Sequence, residues 1–252
     1  MERNMSTEIS PAAPRYDMLP RILSFSGVIV VYWAIQQVSS YGYLTHAIMV
    51  HPSLSSVALL LFEQKIWEFL IGMTVIAVMS RGHLWSYGIN SMDVRFSMRM
   101  LVRFYAVATV FIIGMVIIPL MRGTALPAIY AHLSLPMMGI WLLMQWMASP
   151  IADSVLFFGV FQTILSKYWS EVIEFKQFKL PVGGVYAAMA FVVGRIRIPI
   201  FGSDTLEFAI AAVAGLFCAW VYARTRSLLT PMLALAFLYG LPFIIRFAWT
   251  LM

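Results

Sequence analysis

Eight apolar runs divide the chain, at about 22–39, 54–80, 100–120, 133–148, 151–166, 182–194, 205–223 and 228–250. A helix of about 20 apolar residues is the length that crosses the hydrocarbon core of a bilayer. In lipid every backbone polar group must be satisfied within the spanning structure, so tiled runs of this kind leave helices as the solution. The expected fold is all-α: a polytopic membrane helix bundle of about eight helices, some of them shorter than a full span. Composition agrees. Of 252 residues, 62% are hydrophobic and only 11% charged, where a soluble domain carries roughly 25% charged residues.

Residues 1–21 read as a polar N-terminal tail and 22–252 as a single membrane domain. The tail lacks the order of a cleavable signal, a basic start followed directly by an apolar core and a cleavage site. The single cysteine, Cys218, falls inside an apolar run, which excludes a disulfide framework and a cysteine-based metal site. A net charge of +6 suits loops that face an anionic leaflet. The basic residues are scattered between the runs, not gathered on one face as nucleic-acid binding requires, so no nucleic-acid partner is expected.

The run at 54–80 is interrupted by Glu63, Gln64, Lys65 and Glu68. Either its first half lies in the membrane interface, the favoured reading, or these groups face the interior of the bundle. Lys and Arg gather in the tail (Arg3, Arg15, Arg21), in 81–103 (Arg81, Arg95, Arg99, Arg103) and in 167–179 (Lys167, Lys176, Lys179). The excess of positive charge on cytoplasmic loops then predicts a cytoplasmic N-terminus. Strict alternation of eight spans puts the third cluster on the wrong side, a conflict that a helix failing to cross would remove.

Three stretches of the C-terminal half carry further information: "SPIADSVLFFGVFQTIL" from Ser149, "GGVYAAMAFVVGRI" from Gly183, and "AGLFCAWVYARTRSLLTPMLALAFLYGLP" from Ala214. Together they resemble the CPBP family of intramembrane metalloproteases, the CAAX-protease and bacteriocin-processing group also called Abi. The third stretch is the most specific: Gly215, Tyr222, Arg224-Thr225, Ser227-Leu228 and Pro231 follow the family's order and spacing. The resemblance covers 150–242 as a CPBP-like core and implies a CAAX-protease-like helix bundle.

In that family a Glu pair followed by Arg, a Phe-x-x-x-His and a His with Asn or Asp four residues later bind a divalent metal and activate water. Carboxylates and neutral imidazoles are what such an ion requires. Here the Glu pair is Asp153 and Ser154, and the Arg position is Phe158. Phe191 is kept but the second motif's His position is Arg195, and the third motif's positions are Leu235 and Tyr239. The resemblance therefore implies a retained scaffold with degenerate motif positions: no catalytic residue, no metal ligand, and no cofactor unless a divergent site holds zinc. Asp153-Ser154 reads as the remnant of the acid pair at the start of a helix, where free backbone N–H groups and the helix dipole favour an acid.

No replacement metal site is visible. His46, His51, His83 and His132 lie near run ends or in connections, without the i,i+4 spacing of a helical ligand pair. Glu171 and Glu174, beside three lysines, read as a solvated surface. Arg195 has two readings: a span-end cation snorkelling to the interface, or a cavity charge pair with Asp153 in the space a metal occupies in the family. The small residues at 209–219, "AIAAVAGLFCA", allow close approach of another helix, most simply within the chain.

The expected function is a catalytically silent CPBP-like protein of the cell (inner) membrane. Its role would be that of a scaffold, assembly or regulatory subunit contacting membrane lipids and binding another membrane protein, a lipidated partner or a second copy of itself. The alternative is a divergent active intramembrane metalloprotease using Asp153. A transporter fits less well, because polar groups are too few in the spans.

Overall fold

A computed structural model describes residues 18–49, 54–88, 93–122, 135–175, 178–194 and 205–250. Among these residues seven helices form one bundle: α1 (Met18–Met49), α2 (Leu54–Met79), α3 (94–121), α4 (135–168), α5 (Val182–Val193), α6 (Thr205–Thr225) and α7 (Leu229–Thr250). An antiparallel hairpin, β1 (Val172–Phe175) and β2 (Phe178–Pro181), joins α4 to α5. Five of the helices contain stretches long and apolar enough to cross a membrane: those of α1, α3, α4, α6 and α7. This is an integral membrane protein. At 12 residues, α5 rises only about 18 Å, well short of the roughly 30 Å hydrocarbon core.

The main departure from expectation is α4. The runs at 133–148 and 151–166 are one continuous helix through Ser149-Pro150. Inside an α-helix, proline removes a hydrogen bond and its ring collides with the carbonyl four residues back. Here the turn at Met144–Ala148 is widened to π geometry directly before the proline, and the Ser149 N–H reaches back to Met144 O. The wider turn relieves the collision, so the chain passes Pro150 without breaking. A second π stretch, Ser154–Gln162, follows at once. It begins at the residue after Asp153, and turns of this kind recur at functional sites.

Merging these two runs removes the charge conflict. Arg21 at the start of α1 forms an ion pair with Glu171 and lies 4.9 Å over the Trp169 ring. Phe178 of the hairpin stacks on Trp220 near the end of α6. The Leu228 N–H at the α6–α7 corner donates to Gly88 O in the α2–α3 connection. These corners therefore share one end of the bundle, and Arg21, Arg81, Arg95, Lys179 and Arg224 share it with them.

The core lies between α2, α4, α5, α6 and α7, around Ile76, Phe158, Phe161, Leu165, Phe191, Tyr222 and Leu235. The small residues at 209–219 serve packing within the chain. A Cβ on Gly215 would stand 3.1 Å from the Phe191 ring and 3.4 Å from Ala188, so α5 and α6 approach closely. The stretch around Glu174, read from sequence as a solvated surface, is an antiparallel hairpin, and Glu174 pairs across it with Lys179 at 2.6 Å.

Candidate functional site

The residues that resemble the family's framework prove to be architectural. Thr225 Oγ1 donates to Val221 O at 2.9 Å and accepts the Ser227 N–H at 3.2 Å. Ser227 Oγ accepts the Leu229 N–H at 3.3 Å. Together they turn the chain from α6 into α7, because short hydroxyl side chains satisfy the backbone groups that a helix end leaves open. Pro231 lies in the first turn of α7, where its missing N–H has no helical partner to lose. Tyr222 is wholly buried and its hydroxyl meets Thr163 Oγ1 at 3.0 Å. Gln162 Nε2 donates to Ala219 O at 2.8 Å, locking α4 to α6.

The residues at the ligand positions divide into apolar and polar. Phe158 and Leu235 are wholly buried apolar groups, and Phe158 packs on Phe191 with ring centroids 6.0 Å apart. Asp153 and Tyr239 do meet: the Tyr239 hydroxyl donates to Asp153 Oδ2 at 3.0 Å. Ser154 is buried beside them in sequence, and its Oγ has no hydrogen-bond partner among the described residues. Arg195 lies outside the described residues, as do His51 and His132 and the side chain of His46. His83 is exposed at the end of α2, its Nδ1 3.2 Å from Ser80 O.

The described cation partner of Asp153 comes from α2. Lys65 Nζ stands 2.8 Å from Asp153 Oδ1 and 2.6 Å from Glu68 Oε2. Gln64 Nε2 donates to the other oxygen of Glu68, Oε1, at 3.0 Å. Glu68 is 0% exposed, Asp153 2% and Lys65 9%. This corrects the favoured interfacial placement of the first half of α2: its Lys65 and Glu68 face the bundle interior. The cost of burying charge explains why. Ions taken out of water are tolerated only when paired and hydrogen-bonded, and in a membrane they face the bundle interior or a wet cavity.

A second correction concerns Asp153 itself. Its φ of −61° and ψ of −42° are helical, and it sits midway along α4, so neither a capping role nor the dipole accounts for it. An ammonium does. Lys65, Asp153 and Tyr239 each lie near the midpoint of their helices, which puts the cluster at the depth where charge is most costly.

Sequence reasoning missed Lys65 and Glu68 as site residues. The signal was present, since an Lys and an Glu at i,i+3 interrupt an otherwise apolar run, but no local pattern joins Lys65 to an acid 88 residues away.

Among the described residues, the donors around Asp153 do not fit the divalent metal that the resemblance implies. Such an ion is held by carboxylate, imidazole or thiolate donors, and here an ammonium stands between the two carboxylates. Among the described residues, no three His, Cys, Asp or Glu side chains come together. Residues 135–240 match the family model described as Type II CAAX prenyl endopeptidase Rce1-like. No curated protein and no solved structure matches the chain.

Proposed function

Starting from 135–240 as a CPBP-family, Rce1-like segment of a CAAX-protease-like membrane protein, we propose that the protein has given up proteolysis and acts by binding. It serves as a scaffold, assembly or regulatory subunit that holds another membrane protein or a lipidated partner. One observation carries this reading: the Lys65 ammonium lies between Glu68 and Asp153, beside positions where the family's pattern asks for metal ligands. A metal-bound water cannot form where a fixed ammonium already satisfies the carboxylates, and without such a water the hydrolytic step has no nucleophile. Retention of the Thr225–Ser227 corner and the buried Tyr222 supports a bundle kept for its shape.

The same reading extends to placement and partners. The protein resides in the cell (inner) membrane, and its basic end faces the cytoplasm together with the N-terminus, as the distribution of Lys and Arg favours. Its partners are lipids and a membrane protein, a lipidated protein or a second copy of itself; it takes no nucleic acid and no cofactor.

The test has two arms on the full-length protein, extracted in mild detergent. Mass spectrometry of the extract is expected to find a co-purifying membrane or lipidated protein, or a homo-oligomer. Incubation with a prenylated CAAX peptide and zinc is expected to give no cleavage. About one equivalent of bound zinc, the stoichiometry of a single catalytic centre, with cleavage that a chelator stops and Asp153→Ala abolishes, refutes the proposal in favour of a divergent protease. A lone monomer carrying neither protein nor lipid refutes the binding role.

A further inference from the structure

The buried cluster is organised like a carboxylate metal centre with an ammonium at its middle. Each acid turns one oxygen to Lys65 Nζ: Glu68 Oε2 at 2.6 Å and Asp153 Oδ1 at 2.8 Å. Each acid gives its other oxygen to a neutral donor, Glu68 Oε1 to Gln64 and Asp153 Oδ2 to Tyr239, both at 3.0 Å. Outer donors that fix the orientation of inner carboxylates are what tune and hold a metal site. Here they fix two carboxylates on a side chain of the protein itself. Lysine suits the place because its charge is a compact point with donors pointing several ways, whereas the guanidinium of arginine is a flat fork.

We propose that the Lys65 ammonium is a built-in substitute for a divalent cation, occupying the centre defined by Glu68 and Asp153 and keeping that centre closed to metal ions. It follows that the acids remain oriented for a cation, and that shortening Lys65 opens a site for one. The inference rests on the reading of the bundle as a silent hydrolase scaffold. It goes further in naming a residue outside the family's three motifs, Lys65, that keeps the remaining carboxylates from a metal ion.

The experiment uses the full-length protein in detergent and Mn2+ as the probe, with free Mn2+ followed by electron paramagnetic resonance. Lys65→Ala is expected to bind Mn2+ at least about tenfold more tightly than the unaltered protein, a difference of about 1.4 kcal/mol in binding free energy. Lys65→Ala/Asp153→Asn is expected to lose that gain. Lys65→Met, which fills the space without a charge, is expected to show none.

Equal binding by the unaltered protein and Lys65→Ala overturns the proposal, as does a folded Lys65→Ala that binds no better. Should Lys65→Ala fail to accumulate, extraction with Mn2+ present is expected to restore it. Lys65→Ala/Glu68→Gln, which removes one cation and one anion together, is expected to fold without metal. Failure of both rescues also overturns the proposal. Zinc-dependent peptidase activity in the unaltered protein instead sinks the silent-scaffold reading, so the two failures are told apart.

Discussion

Tyr239 of α7 donates its hydroxyl to Asp153 of α4 at 3.0 Å across 86 residues of chain. The resemblance to the family whose model matches 135–240 puts the two at positions of its first and third motifs, and the bundle brings those positions into contact. The bond is to an ionised acceptor in a site that water reaches poorly, and such bonds are worth about 1.5–3 kcal/mol. Tyr239→Phe is expected to lower stability by about that much. Asp153→Ala strands the Lys65 ammonium with one acid fewer and is expected to cost more, about 3–5 kcal/mol. Reversible unfolding in mixed micelles measures both. Because the residues touch, the double variant should fall short of the sum of the singles.

How much of this was readable beforehand depends on the scale of the interaction. The helical membrane class follows from run length alone, and the α6–α7 corner follows from a local string, Arg224-Thr225 through Pro231. Both are short-range facts. Ser149-Pro150 misled because proline ends helices in the absence of a neighbouring wide turn, and nothing in the string "MQWMA" before it announces π geometry. Asp153 misled for the opposite reason. A place near an apparent helix start offered a local explanation, while its described partners are tertiary: Lys65 on α2 and Tyr239 on α7. Lys65 itself reads as an interruption until α2 is packed against α4.

Close backbone approach makes a sharper prediction. A Cβ on Gly183 would stand 2.5 Å from Ser166 N and 2.7 Å from the carbonyl carbon of Leu165. Those are backbone atoms of the last turns of α4 and have no rotamer with which to yield. Gly183→Ala should therefore prise α5 from α4 and cost about 1–3 kcal/mol or more, as overpacking does. Gly139, also helical, has nothing within 4 Å of its added Cβ. There alanine should be neutral or stabilising by up to about 1 kcal/mol. Thermal melts of the two variants in detergent give the contrast, and equal melts would mean the α4–α5 contact is absent.

The Arg21–Glu171 pair joins the start of α1 to the hairpin and lies outside the spans on the Glu171 side. A backbone N–H of Glu171 itself, with Arg21 adding charge and a hydrogen bond, holds its carboxyl below the ordinary value of 4.5. A carboxyl whose folded value is depressed stabilises the fold above its unfolded value, and that contribution fades as pH falls through the folded value. The stability difference between the unaltered protein and Glu171→Gln should accordingly be present at neutral pH. It should shrink below the ordinary carboxylate range. A difference that grows on acidification would reverse the sign and rule out the pair as its source.

Passage of α4 through Pro150 decides the topology, and labelling from either side of the membrane can read it. Cys218, the single cysteine of the sequence, is buried, so introduced cysteines report without a competing thiol. Arg95 lies at the start of α3, Lys179 in β2 and Arg122 just past the far end of α3, and all three are exposed. With α4 a single crossing, Arg95→Cys and Lys179→Cys should react with a membrane-impermeant maleimide from the same side, the cytoplasmic one if the basic end faces inward. Arg122→Cys should react from the opposite side. The hairpin carries too little apolar length to cross the bilayer by itself. Reaction of Lys179→Cys from the side of Arg122→Cys would thus require an additional crossing between 122 and 179, which the unbroken helix through Ser149 and Pro150 does not contain.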